Sequence, residues 1–253
     1  MQTYTFDDLL TVMKRLRAEC PWDREQTNDS IKAHTIEEAY EVVEAIDHGN
    51  DEDLRGELGD LLLHVVFHAQ IAADGGRFTI DDVLRAIIDK LVRRHPHIFG
   101  DVLVSGSADV MKNWEQIKME EGRESVIDGV PATLPALLRA WRMQDKASKI
   151  GFDWEKPDDV MDKVREELEE LHAATEKHDL DAMESEVGDV LFSIVNYCRF
   201  IGVNPENALR RTIQKFDRRF RHVERRLREE GRLPSDATLD EMDVYWDEAK
   251  RRE

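Results

Sequence analysis

Apolar residues recur along the chain at a spacing of three and four. Phe6, Leu9, Leu10, Met13 and Leu16 form one stripe. Ile80, Val83, Leu84, Ile87, Ile88 and Leu91 form a second, with Thr79 and Asp82 placed as a capping box before it. Asn204-Pro205-Glu206 reads as an N-cap with proline at the first helical position, opening a helix that reaches about residue 230. Thr238 and Glu241 repeat the capping pattern ahead of a last helix. Strand-like alternation is nearly absent. The pattern predicts an all-α protein of roughly ten helices joined by short polar loops. The segment Gly122 to Pro135, with Asp128-Gly129 and two prolines, is the linker candidate, so the predicted domains are 1–124 and 125–253.

The two halves repeat each other. Glu37, Glu38 and Glu41 fall on Glu166, Glu167 and Glu170 at an offset of 166 − 37 = 129. At the same offset Glu57, Gly59 and Asp60 fall on Glu186, Gly188 and Asp189. Lys90 and Arg94 correspond to Lys215 and Arg219, and Trp114 to Trp246, at slightly different offsets that loop lengths explain. A purely structural duplication would repeat the apolar pattern best. Here the acidic positions repeat better than the core.

Charge narrows the function. There are 36 basic and 55 acidic side chains, a net charge of −19. Binding to nucleic acid or to an anionic membrane surface is disfavoured, because both need basic surfaces. The most apolar run, Leu61 to Ala73, holds two histidines and is too short to span a bilayer. The N-terminus lacks the basic-then-apolar pattern of a signal peptide. The two cysteines, Cys20 and Cys198, form no Cys-x-x-Cys pair, so a reducing cytoplasm is the expected location.

The repeated acidic set carries the chemistry. Residues three or four apart share a helix face, so Glu38 projects with Glu41, and Glu57 with Asp60 on the next helix. The polar turn from His48 to Asp53 makes the two helices antiparallel neighbours. Gly59 lies inside the motif and is expected to permit close approach of the helix backbones. Four converging carboxylates repel by about 3 kcal/mol per pair at ~6 Å and an effective dielectric near 20. A hard divalent cation is the counter-charge: all-oxygen anionic ligands select Mg²⁺, Mn²⁺ or Ca²⁺ rather than zinc or copper, and Mg²⁺ in particular is held by a few carboxylates plus substrate phosphates. Splayed into solvent, the same residues would be an ordinary acidic surface. Lys215 and Arg219, four apart on a helix, either pair with surface carboxylates or bind phosphate oxygens. Lys163 precedes Glu166 by one turn, and His34 takes its place in the first half. A ferritin-like di-iron bundle would need two Glu-x-x-His motifs. The chain has Glu169-x-x-His172, but its repeat counterparts are Tyr40 and Val43. A non-enzymatic helical scaffold that binds partner proteins predicts no Mg²⁺-dependent stabilisation.

These residues resemble the MazG family of nucleoside triphosphate pyrophosphohydrolases. The resemblance rests on EEAYE and ELGD at 37–41 and 57–60, EELEE and EVGD at 166–170 and 186–189, CPWD at 20–23, RRHPHIFGD at 93–101 and GFDW at 151–154. It implies two tandem all-α modules with a four-helix-bundle-like core assembled in a homodimer. It also implies Mg²⁺-dependent cleavage of NTPs or dNTPs between the α- and β-phosphates. Carried over residue by residue, Glu167, Glu170, Glu186 and Asp189 match the metal ligands of the second module, and Glu38, Glu41, Glu57 and Asp60 those of the first. Glu166, or Glu37 in the first module, is the candidate general base. Lys163, Lys215 and Arg219 match phosphate-binding positions, and Trp246 a nucleotide-contacting tryptophan. His34, Ala182 and Ser185 depart from the pattern.

Overall fold

Local signals start and stop the helices where the pattern predicts them. The computed structural model describes residues 3–121 and 124–252. Among these there are α-helices and one 3₁₀ turn, and no strand. Capping boxes open α1 (Phe6–Glu19) at Thr5, α5 (Ile80–Arg94) at Thr79 and α12 (Leu239–Lys250) at Thr238. Asn204 caps α11 (Pro205–Glu229) with Pro205 inside its first turn. Among the described residues, no helix is long and apolar enough to cross a membrane.

The chain divides into two compact units, Met1–Val110 and Met111–Glu253. The division falls within α7 (Ser107–Glu120), ahead of the glycine- and proline-containing loop near residue 125. That loop is tied down from Glu124 onward, Gly122 lying outside the described residues. The buried Lys146 donates through Nζ to the carbonyls of Val126 (3.1 Å) and Asp128 (3.0 Å).

In the first unit, α3 (Lys32–His48) and α4 (Asp51–Asp74) pack together, and α1 lies against α4. Met13, Ile31, Val66, Phe67 and Ile71 form the core. Arg17 of α1 explains the order of the CPWD segment. Its guanidinium pairs with Asp74 at 2.8 Å and donates to the carbonyls of Asp23 and Gln26. Pro21 starts the short α2 (Pro21–Glu25), and Trp22 leans on Phe67 with ring centroids 6.5 Å apart.

In the second unit, α9 (Pro157–Lys177) and α10 (Leu180–Phe200) are the repeat counterparts of α3 and α4, and α8 (Ala136–Ser148) packs on α10. The turn between the paired helices is the same in both units. Gly49 stops α3 at φ 64°, and His178 stops α9 at φ 53°. Each donates its N–H back to carbonyls of the last turn, and the next residue, Asn50 or Asp179, caps the following helix. The histidine tolerates a left-handed backbone at some conformational cost that glycine avoids.

One expectation is corrected. A Cβ added at Gly59 or at Gly188 would meet nothing within 4 Å. Backbone approach inside the chain therefore does not require glycine at either position.

Candidate metal and nucleotide site

The two-residue turns hold the paired helices in register, so acidic residues from both converge. In the first unit, one carboxylate oxygen from each of Glu38, Glu41 and Glu57 lies within 4.8 Å of the others. In the second unit, Glu167, Glu186 and Asp189 meet the same limit. Asp60 and Glu170 stand beside these groups and are felt electrostatically. Withdrawal from water raises the Glu170 carboxyl above its ordinary range, and the charges of Glu167 and Glu186 add to the effect. Loss of water raises Glu38 most, with repulsion from Glu41, Asp60 and Glu37 behind it. Glu57 is raised by the same loss of water, then by Glu41. Burial and mutual repulsion both make these carboxylates less acidic, and their oxygen-only chemistry fits Mg²⁺ or Mn²⁺. The residues present fit such an ion in both units.

The counter-charge differs between the units. Lys163 Nζ lies 2.7 Å from Glu167 and 2.9 Å from Glu166. Its hydrogen bond to Glu167, then that to Glu166, holds the ammonium above its ordinary range. Glu167 itself is buried. The first unit has His34 at the matching position, exposed and stacked at 6.3 Å on His64. His64 Nε2 approaches Glu38 at 3.8 Å. Burial lowers the His64 pKa, and His34 lowers it further, against an opposing pull from Asp60. The position that holds a lysine in the second unit thus holds a histidine in the first.

A cavity of about 610 Å³ adjoins the second set. Lys163, Glu167 and Asp189 line it, together with Phe152, Trp154 and Gln144. The GFDW segment is fastened over α10 by an ion pair between Asp153 and the Arg199 guanidinium, one arm of which measures 2.9 Å. Gly151, at φ 90°, makes the turn into that segment. The motif was visible in the sequence. Its place against the carboxylates was not, because Asp153 and Arg199 are far apart along the chain.

The remaining candidates do not line the cavity. Glu166 is exposed beside Lys163, and Glu37 is exposed on α3. Lys215, Arg219 and Trp246 do not line the cavity. Arg219 sits over the Trp246 ring at 5.5 Å, and Trp246 meets Phe216 at 5.3 Å, on α11 and α12. His172 is exposed and pairs with Glu176 at 3.6 Å, on the solvent side of α9, so it adds no imidazole ligand.

The MazG nucleotide pyrophosphohydrolase domain matches this chain twice, over residues 26–99 and 155–224. Each match spans one carboxylate set. A Thermotoga maritima protein named nucleoside triphosphate pyrophosphohydrolase/pyrophosphatase MazG is 46% identical over 250 residues, 97% of this chain and 95% of its own. The Escherichia coli K12 nucleoside triphosphate pyrophosphohydrolase is 45% identical over 256 residues, 98% of this chain and 97% of its own. Bacillus subtilis YabN, an uncharacterized protein, is 46% identical over 259 residues, 99% of this chain but 52% of its own length. Two copies of one domain and relatives of matching length leave no other assignment: the chain belongs to the MazG nucleotide pyrophosphohydrolase family.

Proposed function

We propose that the chain hydrolyses nucleoside triphosphates, ribo or deoxy, between the α- and β-phosphates, releasing a monophosphate and pyrophosphate, and that the second unit does the work. The observation that carries this reading is the cavity beside Lys163, Glu167 and Asp189. It sets a fixed cation and metal-binding oxygens against a space that suits a nucleoside.

Glu167, Glu170, Glu186 and Asp189 would hold Mg²⁺, which when bound offsets phosphate charge and lowers the pKa of bound water. Lys163 turns from its glutamates toward the β- and γ-phosphate oxygens. Glu166 takes the proton of the attacking water. The water oxygen bonds to the α-phosphorus as the bond to the bridging oxygen breaks, and pyrophosphate leaves. Lys215, Arg219 and Trp246 are assigned to the substrate from the resemblance. In the first unit, Glu38, Glu41, Glu57 and Asp60 would hold a cation, with Glu37 beside them. Without a lysine at position 34 that unit is the weaker candidate for turnover. The net charge and free thiols support a cytoplasmic enzyme acting on free nucleotides rather than on nucleic acid or membranes.

Mixed NTPs with Mg²⁺ are expected to yield pyrophosphate and no orthophosphate, and EDTA is expected to stop the release until Mg²⁺ or Mn²⁺ is restored. Orthophosphate as the first product would reject this chemistry.

The working form is proposed to be a homodimer. Helix α5 has a full apolar stripe, yet Ile88 is 55% exposed and Leu91 46%. Leu58 and Leu62 on α4, Val187 and Leu191 on α10, and Ile213 and Phe216 on α11 are similarly uncovered. Runs of exposed apolar side chains on several helices call for a partner surface. Light scattering is expected to give twice the 29.4 kDa chain mass, and a monomeric mass would remove this part of the proposal.

A further inference from the structure

The first carboxylate set differs from the second in having histidines against it. At the repeat offset, His34, His64 and His68 correspond to Lys163, Ser193 and Tyr197, so the second unit has no imidazole at these places. The His64 side chain is only 12% exposed, and its Nε2 lies 3.8 Å from Glu38 Oε1. Donor atoms that share a tetrahedral ion at bond lengths near 2.1 Å stand about 3.4 Å apart. A small turn of either side chain closes that difference.

A chain of hydrogen bonds holds the ring from behind. The Arg77 guanidinium donates to Asn28 Oδ1, which fixes the amide. Asn28 Nδ2 therefore donates to His68 Nδ1 at 2.8 Å, and the His68 ring proton sits on Nε2. That Nε2–H donates to Thr35 Oγ1 at 2.9 Å. The Thr35 hydroxyl can turn its own hydrogen to the Ile31 carbonyl at 3.3 Å, and its oxygen then accepts from His64 Nδ1 at 3.4 Å. With the proton on Nδ1, the His64 lone pair is on Nε2, facing Glu38. An imidazole whose far nitrogen donates a hydrogen bond is the usual form of a metal-ligating histidine.

We propose that His64 adds a nitrogen ligand to the oxygens of Glu38, Glu41 and Glu57, so that the first unit takes a transition-metal dication in preference to Mg²⁺. The inference rests on the reading that this carboxylate set holds a cation. Imidazole suits the later first-row metals, whereas Mg²⁺ is left to oxygen donors. The two units of one chain would then differ in the metal they hold, the second keeping an all-oxygen set.

The test uses Co²⁺ and Mg²⁺ as probes on the full chain. By calorimetry, His64→Gln is expected to weaken the tighter Co²⁺ site by at least about tenfold and to change Mg²⁺ binding by less than about twofold. Native circular dichroism is the check on folding. Proton NMR of the Co²⁺-loaded native protein is expected to show a hyperfine-shifted, exchangeable N–H from His64 Nδ1 that is absent from His64→Gln. Glu57→Gln should weaken the same Co²⁺ site, and tight Co²⁺ binding that survives this substitution belongs to surface histidines and overturns the inference. So does a His64→Gln chain that binds Co²⁺ as tightly as the native protein, or that loses Co²⁺ and Mg²⁺ alike. In the last two cases a loss of Mg²⁺ binding in Glu57→Gln leaves the carboxylate set standing as a cation site. If Glu57→Gln changes the binding of neither ion, that underlying reading falls as well.

Discussion

Asp189→Asn is expected to cut pyrophosphate release at least about a hundredfold while leaving helix content unchanged. The substitution keeps the shape of the side chain and removes one of three clustered charges. Asp189 is exposed on α10, so no core packing is lost with it. Mn²⁺ affinity, read by calorimetry, should fall together with turnover. Asp60→Asn in the first unit is the matched control and is expected to retain most activity. The opposite outcome, an active Asp189→Asn and an inactive Asp60→Asn, would move the chemistry to the first unit.

Lys163→Met is expected to be nearly as severe for catalysis, about a hundredfold in kcat/KM. It should also make the protein lean on its metal. Glu167 is buried, and Lys163 at 2.7 Å is its close cation. Without it, the metal-free protein holds a buried carboxylate stripped of that counter-charge and should melt earlier. Added Mg²⁺ should recover more of the melting temperature in this variant than in the native chain, because a divalent ion takes over the neutralising role. The sign with pH follows from the raised ammonium pKa. The pair stabilises the native fold fully below the lysine's ordinary 10.5, and the contribution fades as pH climbs from there through the folded value. Thermal melts of both proteins, with and without Mg²⁺, check the claim. An equal Mg²⁺ response in the two would contradict it.

How far the sequence reveals the site depends on how local each signal is. Capping boxes span four residues, and the structure opens helices at Thr79, Thr238 and Asn204 as their patterns predict. The carboxylate faces follow from helical spacing plus one short turn, so their convergence is nearly as local. The cavity is different. Gln144 and Phe192 are joined by a hydrogen bond across a long separation, and nothing in the residues around Gln144 marks it. A glutamine in a polar-looking helix reads as surface until α10 is laid beside it. The expectation for Gly59 failed for a related reason. A glycine in a helix announces missing volume but not which neighbour, if any, uses it. The stripe on α5 shows the same limit, since periodicity tells which face is apolar and not what covers it.

The hinge between each pair of long helices has a consequence for how such a chain can vary. Gly49 and Asn50, or His178 and Asp179, are the entire connection. Successive helical residues are rotated by about 100°. A single residue gained or lost near that connection, if absorbed into the second helix, would swing Glu186 and Asp189 out of phase with Glu167, however well the rest still packed. The stop residue is glycine in one copy and histidine in the other, while the length of the connection is the same. In this architecture it is the angular phase of one rod against the other, more than any side chain at the bend, that inheritance has to preserve.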